Sequence, residues 1–321
     1  MDLTKIVGVF DREFAVSYLI PTLIFAIELY LIGQVFGVEL IPGVGGALAD
    51  IVAASVFLLG AVVFSVLLMM ANPLMMRLIQ GYDWHGILDF LGLRWRLIEE
   101  FNRRHKSTLS VQRSLDLARR AGAPDPAVPE GHGSDLLAAV RDYPDSTEHI
   151  LPFRIGNFLR AAEVYPRVVY GLDAVGSWQR LQTLIPEATR DAIAAARAQL
   201  FFACNVFVLT LVAVAIALWL TLTTGPLSWP LIVGGILILL AARRLMFVAG
   251  GVYGAHFAAA YDLYRGDLAD HLGLELPRNP EAEREMWREV TRVFLYRSPE
   301  AWARLTRFRT QKTAKGSDAK P

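Results

Sequence analysis

One carboxylate, Glu28, stands near the middle of an otherwise apolar stretch from Phe14 to Phe36, whose only other polar break is Gln34. It lies about 21 Å along a helix from Phe14, and no lysine or arginine occurs within the chain's apolar runs to pair with it. A charge facing hydrocarbon is costly. Glu28 is therefore expected to face the helix bundle or a water-filled cavity, or to hold a proton and bond a neighbouring helix. Carboxylates so placed are the groups that proton and ion pathways use. Asn205 and Ser65, on other apolar runs, are the candidate partners.

The other residues that could do chemistry are dispersed. The six histidines (His85, His105, His132, His149, His256 and His271) include no two at metal-ligand spacing on one helix. No Gly-rich phosphate loop ending in lysine and no GxSxG nucleophile elbow is present. Cys204 is the sole cysteine and sits in an apolar run, which excludes an intramolecular disulfide and a cysteine-based zinc site. No catalytic residue, metal or cofactor is expected, and a membrane enzyme acting on lipid ranks as the second alternative.

These residues must be positioned by helices in a bilayer. Of 321 residues 54% are hydrophobic and 20% charged, and the mean hydropathy of +0.37 exceeds that of an ordinary soluble domain. Crossing about 30 Å of hydrocarbon takes about 20 apolar residues. Phe14 to Phe36, Ile51 to Met70 and Leu200 to Leu222 meet that length. A shorter fourth run, Leu227 to Ala242, closes on Arg243 and Arg244, whose long stems reach back to head groups. The flank Asp11-Arg12-Glu13 is not basic and no cleavage site follows promptly, so the first run is expected to be a retained anchor, not a signal peptide.

Lysine and arginine are held on the cytosolic side. All 32 fall in three segments: 2 before the first run, 16 from Ala71 to Gln199 and 14 after Ala242. The segments Gly37 to Asp50 and Thr223 to Ser228 hold none and are expected outside, with both termini in the cytosol.

The cytosolic segments read as helical. Trp84, Ile87, Leu88, Leu91, Trp95 and Ile98 recur at helical spacing, with a second stripe through Phe101. Arg94 to Arg120 carries eight basic residues against three acidic ones. Arg94, Arg96, Arg103 and Arg104, with Arg243 and Arg244, are the candidate contacts for anionic lipid; a solvated face is the competing reading, and nucleic acid is disfavoured for want of a recognition motif. Residues 121–133 read as a loop, and Ser134 as an N-cap. A helix starting after Pro186 is expected to run unbroken into the third span, and the fourth span to continue past Tyr261 to a glycine cap at Gly273. Asn279 before Pro280 and Ser298 before Pro299 are N-caps of two further helices. Small residues at Gly250, Gly251, Gly254 and Ala258, and at Gly234 and Gly235, mark places for close helix approach.

The least generic segment is Leu151 to Glu187, LPFRIGNFLRAAEVYPRVVYGLDAVGSWQRLQTLIPE. Its Arg154, Asn157, Arg160, Glu163, Tyr170, Asp173 and Trp178 are candidates for a cytosolic ligand pocket or a cluster of ion pairs fixing helices to one another. With YDLYRGDLADHLG at Tyr261 to Gly273, it resembles uncharacterised bacterial multi-pass membrane proteins. The resemblance covers about half the chain and implies no activity and no site residues.

The expectation is an all-α integral membrane protein of a bacterial inner membrane: four transmembrane helices in two hairpins, with a helical cytosolic domain. Its parts would be 1–80, the N-terminal segment and first hairpin; 81–199, the cytosolic domain; 200–255, the second hairpin; 256–309, C-terminal cytosolic helices; and 310–321, a disordered tail. The leading function class is a non-enzymatic sensor, scaffold or oligomeric channel-like effector with a ligand- or partner-responsive cytosolic domain. A small ion or proton channel or transporter using Glu28 is the alternative. Expected partners are the lipid bilayer, a second copy of the chain, and a cytosolic protein or small molecule.

Overall fold

The computed structural model describes residues 12–37, 47–84, 86, 95, 96, 99, 151–224 and 229–309. Over these residues the chain is all-helical, and four of the described helices are long and apolar enough to cross a membrane. They are α1 (Arg12–Phe36), α2 (Ala47–Gln80), α5 (Glu187–Thr224) and α6 (Trp229–His271). Between α2 and α5 lie α3 (Arg154–Tyr170) and α4 (Ala174–Leu184); α7 (Pro280–Tyr296) and α8 (Pro299–Leu305) follow α6. Arg94, Arg103, Arg104, most of the stripe after Trp84, the 121–133 loop, the Ser134 cap, both basic-free connections in large part and the tail 310–321 lie outside the described residues.

The local signals account for the helix ends. Asn279 accepts from Glu281 N at 2.9 Å and Ser298 from Ala301 N at 3.3 Å, satisfying backbone N–H groups that a first turn leaves free. At the end of α6, Gly273 takes φ +69, a left-handed conformation that lets Leu274 N reach back to Ala269 O at 2.9 Å. Pro230 falls in the first turn of α6, where its missing N–H has no helical acceptor to serve. Within α1, Ala15–Leu19 forms a wider π-helical turn.

The chain divides into two compact units. Unit 1 joins Met1–Ile79 with Ile193–Tyr253, and unit 2 joins Gln80–Ala192 with Gly254–Pro321.

In unit 1, α5 is central: half of its most apolar window is buried inside the protein, against 28% for α1 and 17% each for α2 and α6. Phe14 and Tyr18 of α1, Leu68 of α2 and Leu209 of α5 make one core. Ile32 of α1, Ala213 and Ala217 of α5 and Ile232 of α6 make another. The contacts between α1 and α5 rise in order along both helices, from Glu13 with Arg197, through Ser17 with Asn205, to Glu28 with Thr210. The two therefore run side by side in the same direction. Leu58, Leu59, Leu67 and Met70 of α2 and Leu237 and Leu240 of α6 are exposed, a surface suited to hydrocarbon rather than water.

In unit 2, α3, α4, α7, α8 and the later part of α6 enclose Leu172, Leu181, Tyr261, Met286, Trp287 and Val290, each 1% exposed or less. Glycine permits two close approaches here. A Cβ on Gly156 would stand 2.0 Å from the Gln80 carbonyl oxygen, and Gly171, at φ +81, closes α3 against the Arg284 backbone. Glu289, 5% exposed, lies between Arg292 of α7 at 2.8 Å and Arg304 of α8 at 3.0 Å, so its charge is buried in company.

Candidate functional site

Thr210 of α5 holds the Glu28 side chain. Its hydroxyl, 1% exposed, donates to Glu28 Oε1 at 2.8 Å. Thr210 can do so because α1 and α5 are in register along the bundle, and because the α5 face toward Glu28 continues as the small residues Ala213 and Ala217. The second carboxylate oxygen, Oε2, is buried and has no hydrogen-bond partner among the described residues. The partners expected from sequence are otherwise engaged. Asn205 Nδ2 donates to Ser17 O at 2.8 Å, and Ser65 Oγ to Ala61 O at 2.7 Å. The hydroxyl of Ser65 is thus absorbed by its own helix one turn back, and Asn205 is drawn to the π-helical turn of α1.

Glu28 lines a cavity of about 130 Å³ between α1, α5 and α6. Leu31, Thr210, Ala217, Pro230 and Gly234 are among its walls, so it extends from the first turn of α6 to the carboxylate. Its shape depends on glycine. A Cβ on Gly235 would stand 2.3 Å from Val214 Cγ2, so α6 meets α5 there at a distance only glycine permits, while a Cβ on Gly234 would meet open space. Glu28 and Thr210 are thus the polar pair of a lining that is otherwise hydrocarbon.

Further polar groups lie buried in the same helices. Ser17, Thr22, Ser65 and Asn205 are each 3% exposed or less. Thr22 Oγ1, Asn72 Oδ1 and Asn205 Oδ1 have no hydrogen-bond partner among the described residues. At the start of α1, Glu13 Oε1 accepts from Arg197 Nε at 3.1 Å and Nη2 at 2.7 Å. Arg243 and Arg244 are both exposed on α6, which passes through them without interruption. Arg96 is exposed, its guanidinium 5.8 Å from the Trp95 ring centre.

The seven candidates of the Leu151 to Glu187 segment fall in unit 2, and their contacts go to different partners. Asn157, 4% exposed, clamps the Leu151 backbone: its Oδ1 accepts from Leu151 N at 2.6 Å and its Nδ2 donates to Leu151 O at 2.7 Å. Arg154 lies exposed in the first turn of α3. Arg160 Nη1 meets Glu163 Oε2 at 3.1 Å and Tyr82 Oη at 3.4 Å, and Tyr82 Oη donates to Glu163 Oε2 at 3.2 Å. Asp173 is the N-cap of α4, accepting from Val175 N at 2.9 Å. Trp178 packs on Phe257, with ring centres 4.6 Å apart.

Tyr170 belongs to a set that the candidate list did not contain. Tyr170 Oη and Tyr165 Oη both donate to Asp262 Oδ1, at 2.6 and 2.9 Å. The Arg265 guanidinium stands 4.2 Å from the Tyr170 ring centre, bonds the Asp262 carbonyl, and pairs with Glu283 at 2.8 Å. Burial, then the bond to Asp262, hold the phenols of Tyr165 and Tyr170 above the ordinary tyrosine pKa. Tyr82 shifts the same way, by burial first and Glu163 second. This set joins α3, α6 and α7 and works as a fastening. The sequence signal for it was a carboxylate and an arginine at i, i+3 on a helix (Asp262 and Arg265) within the YDLYRGD stretch.

Comparison of the chain with models of known families, with curated proteins and with solved structures finds no match.

Proposed function

We propose that this chain is a non-enzymatic multi-pass protein of a bacterial inner membrane, a sensor or channel-like effector whose working site is the intramembrane carboxylate Glu28. Its four spans form two hairpins, both termini lie in the cytosol, and unit 2 is the cytosolic, responsive part. The observation that carries the reading is Glu28 itself. It is held through one oxygen by Thr210 at 2.8 Å, its other oxygen is unpartnered among the described residues, and it lines a cavity. A residue kept only to fasten two helices gains nothing from a cavity beside it or from a second, unsatisfied oxygen.

Other features agree with the placement. Phe64 stacks on Phe25 at 6.0 Å while Leu68 packs with Tyr18, the order expected of an antiparallel α1–α2 pair. Trp219 and Trp229 are exposed on either side of the short connection between α5 and α6, where interfacial tryptophans belong. The unpartnered oxygens of Thr22, Asn72 and Asn205 favour a hydrated interior over a dry one.

Two experiments test the reading. Purified protein in liposomes, with a trapped pH or cation indicator, should pass protons or small cations, and Glu28→Gln should abolish that passage while folding normally, because Gln keeps an acceptor for Thr210. Passage by Glu28→Gln equal to wild type would return Glu28 to a structural role. For orientation, cysteines introduced at Gly45 and Ser228 should react with an impermeant reagent outside intact cells, and one at Gly131 should not. Cys204, 1% exposed, adds no background. Labelling at Gly131 would reverse the topology.

A further inference from the structure

The Glu28 cavity has a size, a lining and a charge requirement, and together they specify a ligand class. An apolar cavity of about 150 Å³ accommodates a benzene-sized group; this one is about 130 Å³. That volume suits one ring or a short branched chain. Leu31, Ala217, Pro230 and Leu231 offer hydrocarbon to such a body. Glu28 offers a carboxylate that Thr210 fixes at the cavity wall. An ionised carboxylate there calls for a cation, and the protein supplies none from the spans, since every lysine and arginine lies outside the four apolar runs. The walls reach from Pro230, in the first turn of α6, to Ile238, about 12 Å further along that helix. The cavity thus extends inward from the end of the span where the α5–α6 connection lies.

We propose that this cavity binds a small lipophilic organic ammonium compound, its apolar body among Leu31, Ala217 and Leu231 and its N–H groups on the Glu28 carboxylate. The inference rests on the reading of Glu28 as the working site, and adds the chemistry of what that site takes. An anion is repelled by the carboxylate, and a neutral apolar molecule leaves its charge uncompensated. Thr210 acts as a positioning residue: its bond to Oε1 fixes the carboxylate at the cavity wall.

The test uses the full chain in nanodiscs of phosphatidylcholine and phosphatidylglycerol, which carry no primary amine. Benzylammonium and its uncharged counterpart benzyl alcohol are titrated by calorimetry, with protein-free nanodiscs subtracted. Benzylammonium should bind saturably and at least tenfold more tightly than benzyl alcohol. Glu28→Gln should remove that preference. Gly234→Val, which places its side chain in open space beside the cavity, should block binding without disturbing the fold, and it keeps the test decisive if Glu28→Gln fails to assemble. Equal affinity for the two probes, or benzylammonium binding unchanged in both variants, overturns the proposal. So does loss of binding on adding phosphatidylethanolamine, which would make the occupant a lipid head group. A protein that conducts through Glu28 in liposomes yet ignores benzylammonium would refute the ligand and leave the working site standing; neither activity would remove both.

Discussion

Gly235→Ala tests the helix contact that shapes the cavity. The new methyl carbon would lie 2.3 Å from Val214 Cγ2, where carbon atoms prefer about 3.5–4.0 Å. Val214 is β-branched and has one strongly favoured rotamer in a helix, so its methyl cannot swing aside. The helices must part by more than about 1 Å, a form of overpacking that costs about 1–3 kcal/mol. Alanine returns at most about 1 kcal/mol of helix propensity. A net loss of about 1–2 kcal/mol is therefore expected, against no loss for Gly234→Ala, whose methyl meets nothing within 4 Å. Val214→Ala combined with Gly235→Ala should recover most of the loss, since Val214 Cβ stands 3.8 Å from the new atom. Reversible unfolding in mixed micelles with rising SDS, followed by tryptophan fluorescence, reads the double-mutant cycle of wild type, Gly235→Ala, Val214→Ala and the double variant, with Gly234→Ala as the control. If Gly235→Ala is as stable as Gly234→Ala, α5 and α6 do not meet at this distance and the cavity has another shape.

Asn157→Ala should destabilise unit 2 by about 2–4 kcal/mol, because it leaves both the N–H and the C=O of buried Leu151 unpaired; thermal unfolding by circular dichroism reads it. Tyr170 is an acid whose pKa is raised on folding, so the stability it lends is complete below the unfolded value of about 10 and is lost as the pH climbs through the higher folded value. Tyr170→Phe should thus lower stability at neutral pH by about 1 kcal/mol and flatten its fall above pH about 10, Tyr165 and Tyr82 retaining part of the slope. Replacing Arg243 and Arg244 together by leucine should leave the protein folded in the membrane, since both are exposed on an uninterrupted helix. Loss of folded protein from the membrane fraction would show that they make indispensable ion pairs.

The spans were legible because a bilayer imposes a length and a polarity that composition alone reveals. The caps at Asn279 and Ser298 were legible because an N-cap is a local bond between a side chain and an amide two or three residues on. The same rule applies to Asp173, which caps α4, although its arginine-rich and aromatic neighbours made it look like part of a pocket. Thr210 was not legible as the partner of Glu28. The pairing depends on how α1 and α5 are rotated, and a helix apolar on every side carries no periodic mark of which face turns inward. Asp262 was hidden for a different reason. Its phenol partners are 92 and 97 residues away in sequence, and only the packing of α3 on α6 unites them.

The π-helical turn Ala15–Leu19 sets the rotational phase of α1. Such a turn has the character of one residue inserted into an α-helix, and each α-helical residue carries about 100° of rotation. Excising one residue from this turn would restore an ordinary helix and swing the segment before it by about that angle, carrying Glu13 away from Arg197 while Glu28 kept its bond to Thr210. The wide turn is therefore a phase adjuster. It lets one helix present Glu13 near its first turn and Glu28 further along to the same neighbour, so the two contacts can be retuned separately by a change of one codon in length.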